Sequence, residues 1–200
     1  MANRHPGQSD AILGTQRAFA RRTSVAIALW AGVSALAADA PRTSWPAFRG
    51  PDGLGAAPTS GRDSKGPLRL RAAWKIPLGS GYSGVVVDDG LAITMCVDGD
   101  RDVVAAFDTE TGKRVWRFDL EETYKGHDGS HDGPISTPLL RDGRVFALSA
   151  RGRFVSLNQR DGALIWSRQL ADDGVPKPHY GFCTCPFMVD KTLVLQVGDA

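Results

Sequence analysis

Short apolar runs separated by Asp-Gly and similar turn residues dominate the chain from about residue 71 onward. The β-rich runs at 91–97 (LAITMCV), 144–149 (RVFALS) and 192–197 (TLVLQV) each follow a tight-turn position. Asp89-Gly90 and Asp142-Gly143 are dipeptides that favour the two-residue hairpin turn. The pattern predicts strands near 83–88, 91–97, 103–108 and 114–119, joined by short turns. Helical periodicity is absent from this part of the sequence, so the fold expected is all-β.

The runs also repeat. Three stretches align on a Trp with a Leu four residues later: Trp74 with Leu78, Trp116 with Leu120, and Trp166 with Leu170. The Trp spacings are 42 and 50 residues. Gly112 and Gly162 each precede their Trp by four positions, and the turns that carry them begin at Phe107-Asp108 and Leu157-Asn158. Between these units, residues 83–90 (SGVVVDDG) match residues 136–143 (STPLLRDG), and Cys185-Pro186 begins the match again. A unit of four short antiparallel strands every 40 to 50 residues is the pattern of propeller blades. An eight-stranded sandwich would account for the strands but not for the recurring Trp–Leu register. About two and a half blades are expected. Trp74 would lie on a strand of the fourth type, the kind that completes a last blade, and the ring would stop short of closure.

The opening residues read differently. Arg17, Arg21 and Arg22 precede an uncharged apolar stretch at 25–36, and Ala35-Leu36-Ala37 offers a small-x-small cleavage site. That order is expected of a secretory signal peptide over 1–37, by the general or the twin-arginine route. The apolar stretch is too short to span a bilayer, which needs roughly 20 residues. Residues 38–70 form an extended Gly/Pro-rich leader, expected to be an arm pinned on the body by Trp45 and Phe48. Removing the first 37 positions takes out four of the 24 basic residues and one of the 22 acidic ones. The remainder is near neutral and has no basic stripe, which argues against a nucleic-acid partner. No later stretch is long enough for a membrane span, and the location expected is periplasmic or secreted.

The segment Ala106-Phe107-Asp108-Thr109-Glu110-Thr111-Gly112-Lys113-Arg114-Val115-Trp116 resembles the docking motif of pyrroloquinoline-quinone (PQQ) repeat β-propellers. Gly162 with Trp166 is similar to a degenerate second copy. The leader Trp45-Pro46-Ala47-Phe48-Arg49-Gly50-Pro51-Asp52-Gly53, Gly133-Pro134-Ile135-Ser136-Thr137-Pro138 and Gly181-Phe182 resemble a BamB-like branch of exported bacterial proteins. The resemblance implies that 71–200 is the N-terminal part of such a propeller. It also implies structural roles for Asp108, Thr111, Gly112, Trp116, Gly162 and Trp166, each Trp packing against the neighbouring blade.

Function is less legible, because one propeller architecture hosts many activities. The expectation is a scaffold without a cofactor that binds a protein partner through its inter-blade loops, in cell-envelope or outer-membrane assembly. The alternative implied by the resemblance is a dehydrogenase holding PQQ and Ca²⁺ on the axis. Against it, Cys183-Thr184-Cys185 is not an adjacent cysteine pair, and no Asp or Glu is assigned as base by motif. A third reading is a ligand or metal sensor. Its candidate ligands are His127 and His131, in a Gly-containing loop expected to be simply solvated, and Cys183 with Cys185, expected to fill a tight inner layer. His179 lies in the equivalent next loop and joins His127 and His131 if these loops converge.

Overall fold

A computed structural model describes residues 44–57 and 71–198. The expected signal peptide and residues 38–43 and 58–70 of the leader lie outside the described residues.

Ten strands follow in chain order: β1 (Val86–Asp88), β2 (Leu91–Asp98), β3 (Arg101–Asp108), β4 (Arg114–Glu122), β5 (Leu139–Arg141), β6 (Arg144–Leu148), β7 (Arg153–Asn158), β8 (Leu164–Gln169), β9 (Phe187–Val189) and β10 (Thr192–Val194). They form two four-stranded sheets, β1-β2-β3-β4 and β5-β6-β7-β8, and a two-stranded sheet of β9 and β10. Every pairing is antiparallel between consecutive strands. A single turn of 3₁₀ helix, Leu170–Asp173, follows β8. The chain is an all-β propeller with about two and a half four-stranded blades described. Among the described residues no helix is long and apolar enough to cross a membrane.

The turns explain the tight meander. Asp89 and Gly90 have φ of 46° and 77°, and Asp142 and Gly143 have 51° and 70°. Two consecutive positive φ values give the hairpin turn whose twist matches that of the strands.

Alternation then stacks the blades. On β3, Val104 and Ala106 face the second blade, where Leu140, Val145, Ala147, Val155 and Leu157 complete one apolar cluster. Val103, Ala105 and Phe107 point the other way, with Ile76 packed against them. The second blade repeats this arrangement. Its Leu139, Phe146, Leu148 and Phe154 face away from the first blade, toward Met188 and Leu193 of β9 and β10. Period-two side-chain geometry thus gives each blade two buried faces. At about 1.5–3 kcal/mol per buried aliphatic side chain, the stacking faces are the main stabilising term.

Three expectations are corrected by the structure. The first strand begins at Val86 rather than residue 83. Hydroxyl groups replace the ladder at its start: Ser83 Oγ accepts the Met95 N–H at 3.3 Å, and Thr94 Oγ1 donates to the Gly84 carbonyl at 3.0 Å. Residues 71–80, including Trp74, form no strand, because no described third strand lies beside them to make a ladder. The arm is present, bridged to β1 by Trp45. Phe48, in contrast, does not pin it, being 58% exposed.

Candidate partner-binding mouth

The docking residues come first, because they set how the loops converge. Asp108 Oδ1 accepts the Thr111 N–H at 2.7 Å and the Thr111 hydroxyl at 2.6 Å. These bonds hold the Asp108 carboxyl below its ordinary pKa, the hydroxyl contributing most. They close a turn that leaves Gly112 at φ 69°. A Cβ on Gly112 would lie 2.8 Å from the Trp74 ring, and one on Gly162 would lie 2.7 Å from the Trp116 ring. The indole N–H of Trp74 donates to the Thr109 carbonyl, and that of Trp116 to the Gln159 carbonyl, both at 2.9 Å. Trp74 therefore docks on the first blade as Trp116 docks on the second. Trp166 lies against Phe154, edge-on at 5.4 Å, on the face turned to β9 and β10.

A second lock operates at the start of the inner strands. The Gly84 N–H donates to Thr137 Oγ1 at 2.9 Å, and the Thr137 N–H donates to Cys185 Sγ at 3.3 Å. Gly84, Thr137 and Cys185 occupy the same repeat position, so each blade donates to the next. Cys185 is thus spent as an acceptor. All three cysteines are free thiols.

These two locks bring the inter-blade segments before β1, β5 and β9 together at one mouth. His127 and His179 stack with ring centroids 5.3 Å apart. The Tyr180 hydroxyl donates to Asp128 Oδ2 at 3.1 Å, tying one loop to the next. Tyr82 reaches across from the first segment and accepts the His131 N–H on its hydroxyl at 2.8 Å. Tyr82, Tyr124, His127, His131, Tyr180 and Cys183 line a cavity of about 320 Å³. Its lining is mainly aromatic, with two imidazoles and a thiol. Tyr82 and Tyr180 are 51% and 61% exposed, so the mouth offers ring faces outward. The loop at 125–132 is held by its own bonds. Asp132 accepts from Lys125 Nζ at 2.8 Å and from the Gly126 N–H at 3.0 Å. The Lys125 bond is the main cause of a lowered Asp132 pKa.

His127, His131 and Cys183 share the cavity, and Cys185 stands apart from it. Among the described residues no three His, Cys, Asp or Glu side chains are grouped to hold a metal ion. The tyrosines of the mouth were not legible as a group. Tyr82 and Tyr124 share the 42-residue repeat spacing of Trp74 and Trp116, but Tyr180, 56 positions after Tyr124, falls outside that register.

Below the mouth lies a polar clamp that sequence reading missed. Asp102 is fully buried, and its Oδ2 accepts the Tyr124 N–H at 3.1 Å. Its Oδ1 has no partner among the described residues. Burial pushes the Asp102 carboxyl up to about 6. Glu121, across the ladder from Asp102, accepts the Ser149 hydroxyl at 2.8 Å and the Arg151 N–H at 3.2 Å. Its pKa is also raised, chiefly by burial. Arg151 completes the clamp by donating to the Thr123 carbonyl at 3.2 Å.

Four-stranded blades locked by an indole lying on the next blade's glycine define a β-propeller of the PQQ-repeat class. The family model described as outer membrane protein assembly factor BamB matches residues 33–196, and the chain belongs to that family. It is 32% identical over 117 residues to the 1-butanol dehydrogenase (cytochrome c) of Thauera butanivorans, covering 58% of this chain and 16% of the relative. It is 29% identical over 77 residues to the BamB of Yersinia pestis, covering 38% of this chain and 20% of the relative. The quinohemoprotein alcohol dehydrogenase of Comamonas testosteroni superposes with a TM-score of 0.60 at 21% identity, over 78% of this chain and 23% of that one. The chain thus spans about a fifth or less of the curated relatives it matches.

Proposed function

We propose that this chain is part of an exported propeller scaffold whose inter-blade mouth binds a protein partner in cell-envelope assembly. The observation that carries the reading is the mouth itself. Tyr82 and Tyr180 are tied to neighbouring loops through their hydroxyls and left half-exposed, His127 stacks on His179, and Tyr124 is buried beside them. Rigid blades carrying aromatic loops suit protein recognition, because tyrosine gives large contact area at small entropic cost. Family membership supports the assembly role, and the location proposed is the periplasm or the extracellular space.

The second reading is a quinone-dependent dehydrogenase, favoured by the 32% identity to a butanol dehydrogenase. Against it, Cys183-Thr184-Cys185 is not an adjacent cysteine pair, and Cys185 Sγ accepts the Thr137 N–H of the preceding blade.

The test uses the full-length protein in its source bacterium. Alanine at Tyr82 and Tyr180 is expected to reproduce the envelope-permeability defect of a deletion, while alanine at exposed Arg160 leaves permeability unchanged. Normal permeability in the deletion strain, with alcohol oxidation by the purified protein on addition of PQQ and Ca²⁺, would establish the second reading instead.

A further inference from the structure

The segment ahead of the first blade does more than lead into it. Trp45 and Val87 form an antiparallel bridge: the Trp45 N–H donates to the Val87 carbonyl at 2.6 Å, and the Val87 N–H returns to the Trp45 carbonyl at 2.9 Å. One residue later, the Pro46 carbonyl accepts the Leu140 N–H at 2.7 Å. Val87 lies in β1 and Leu140 in β5, and the two occupy the same repeat position. Ala47 then packs against the apolar cluster that includes Leu139, Phe146 and Leu148 of the second blade. Consecutive arm residues thus hold the first two blades, Trp45 on the first and Pro46 on the second. β1 and β5 are the first strands of their sheets, so the arm covers the ladder edges opposite β4 and β8.

Beyond Ala47 the arm folds on itself rather than on the blades. The Gly50 N–H donates to the Ala47 carbonyl at 3.0 Å, and the Gly55 N–H to the Arg49 carbonyl at 2.8 Å. Arg49 Nη2 donates to the Leu54 carbonyl at 3.3 Å, and the Leu54 N–H to Asp52 Oδ1 at 3.0 Å. The ring of Trp45 lies over its own Gly50, where a Cβ would approach to 2.9 Å. Phe48 and Leu54 are 58% and 69% exposed. The arm therefore has a shape of its own, and main-chain hydrogen bonds are its chief hold on the first two blades.

We infer that residues 44–50 are a detachable strap, which fills a strand-addition edge on β1 and β5 and fixes the spacing of the two blades there. The physical reason is the state left behind when the strap leaves. The N–H groups of Val87 and Leu140 then point away from their sheets without a partner, a costly condition beside a buried core. Such an edge takes up an extended segment through main-chain bonds. In the folded chain that segment is the Trp45-Pro46-Ala47 arm. Proline suits the central position, because it presents a carbonyl to Leu140 and needs no N–H acceptor. This inference concerns the inner edges and stands apart from the partner reading of the mouth.

The experiment is amide hydrogen exchange on the full chain with two variants. Trp45→Ala removes the ring, and Gly50→Ala displaces it from outside the blades. In both, Val87 and Leu140 are expected to exchange about tenfold faster or more, while Val104 and Val155 stay within about twofold of the parent. Added in trans, a synthetic peptide of residues 44–57 is expected to return both amides toward parental protection. Three results would each overturn the strap: unchanged exchange at Val87 and Leu140 in both variants, acceleration of all four amides together, or failure of the peptide to restore protection. The second would mean that the arm is an inseparable part of one cooperative core.

Discussion

At the scale of single residues, a glycine, the tryptophan that lies on it and one acid decide most. Gly162 is where the Trp116 ring lands, so Gly162→Ala puts a methyl group into an aromatic face at positive φ. The expected loss is about 1–3 kcal/mol by denaturant unfolding. Trp116→Ala vacates a largely buried site and is expected to cost about 3–5 kcal/mol. Asp102 is the acid. Its folded carboxyl holds its proton up to about 6, against an ordinary value of 3.8. The folded state therefore binds more protons than the unfolded state between those values, and stability falls as pH rises through that window. Asp102→Asn removes the titration. The stability difference between parent and variant is expected to change by about 2 kcal/mol between pH 4 and pH 7, in favour of the variant at pH 7. Chemical unfolding at the two pH values reads this directly, and a constant difference would show that Asp102 titrates normally. The docking glycines were legible because sterics allow almost nothing else beneath an indole. Asp102 was not, since a lone Asp at the start of a Val-rich strand carries no pattern.

At the scale of elements, the strands and hairpins followed from the apolar runs and the Asp-Gly turns. The start of each inner strand did not, because side-chain groups there substitute for the ladder. Thr137 is the clearest case, accepting from Gly84 on its hydroxyl while donating its own N–H to Cys185. Thr137→Val keeps the shape and removes the acceptor. It is expected to cost about 1–2 kcal/mol and to speed amide exchange at Gly84, whereas Thr137→Ser keeps both near the parental level. Equal behaviour of the two variants would mean that the hydroxyl does not carry the inter-blade bond. The arm shows the limits of composition. Gly- and Pro-rich sequence reads as a leader, and only the distant partners Val87 and Leu140 reveal it as an added edge.

At the scale of the whole molecule, blades stack as a one-dimensional array in which each contacts its neighbours. The repeat register was therefore readable along the sequence, while the mouth was readable only as a condition, that His127, His131 and His179 join if the loops converge. His127 and His179 meet because two locked blades turn their loops to one side, and no spacing rule fixes that rotation. The same geometry gives the mouth its function in this account. Its central claim is tested most directly by site-specific photo-cross-linking in the living source cell, with the reactive side chain placed at Tyr180 and, as a control, at Arg160. A single envelope protein cross-linked from position 180 and not from position 160 is the result predicted. Equal cross-linking from both positions, or none from position 180 in the folded protein, would contradict it.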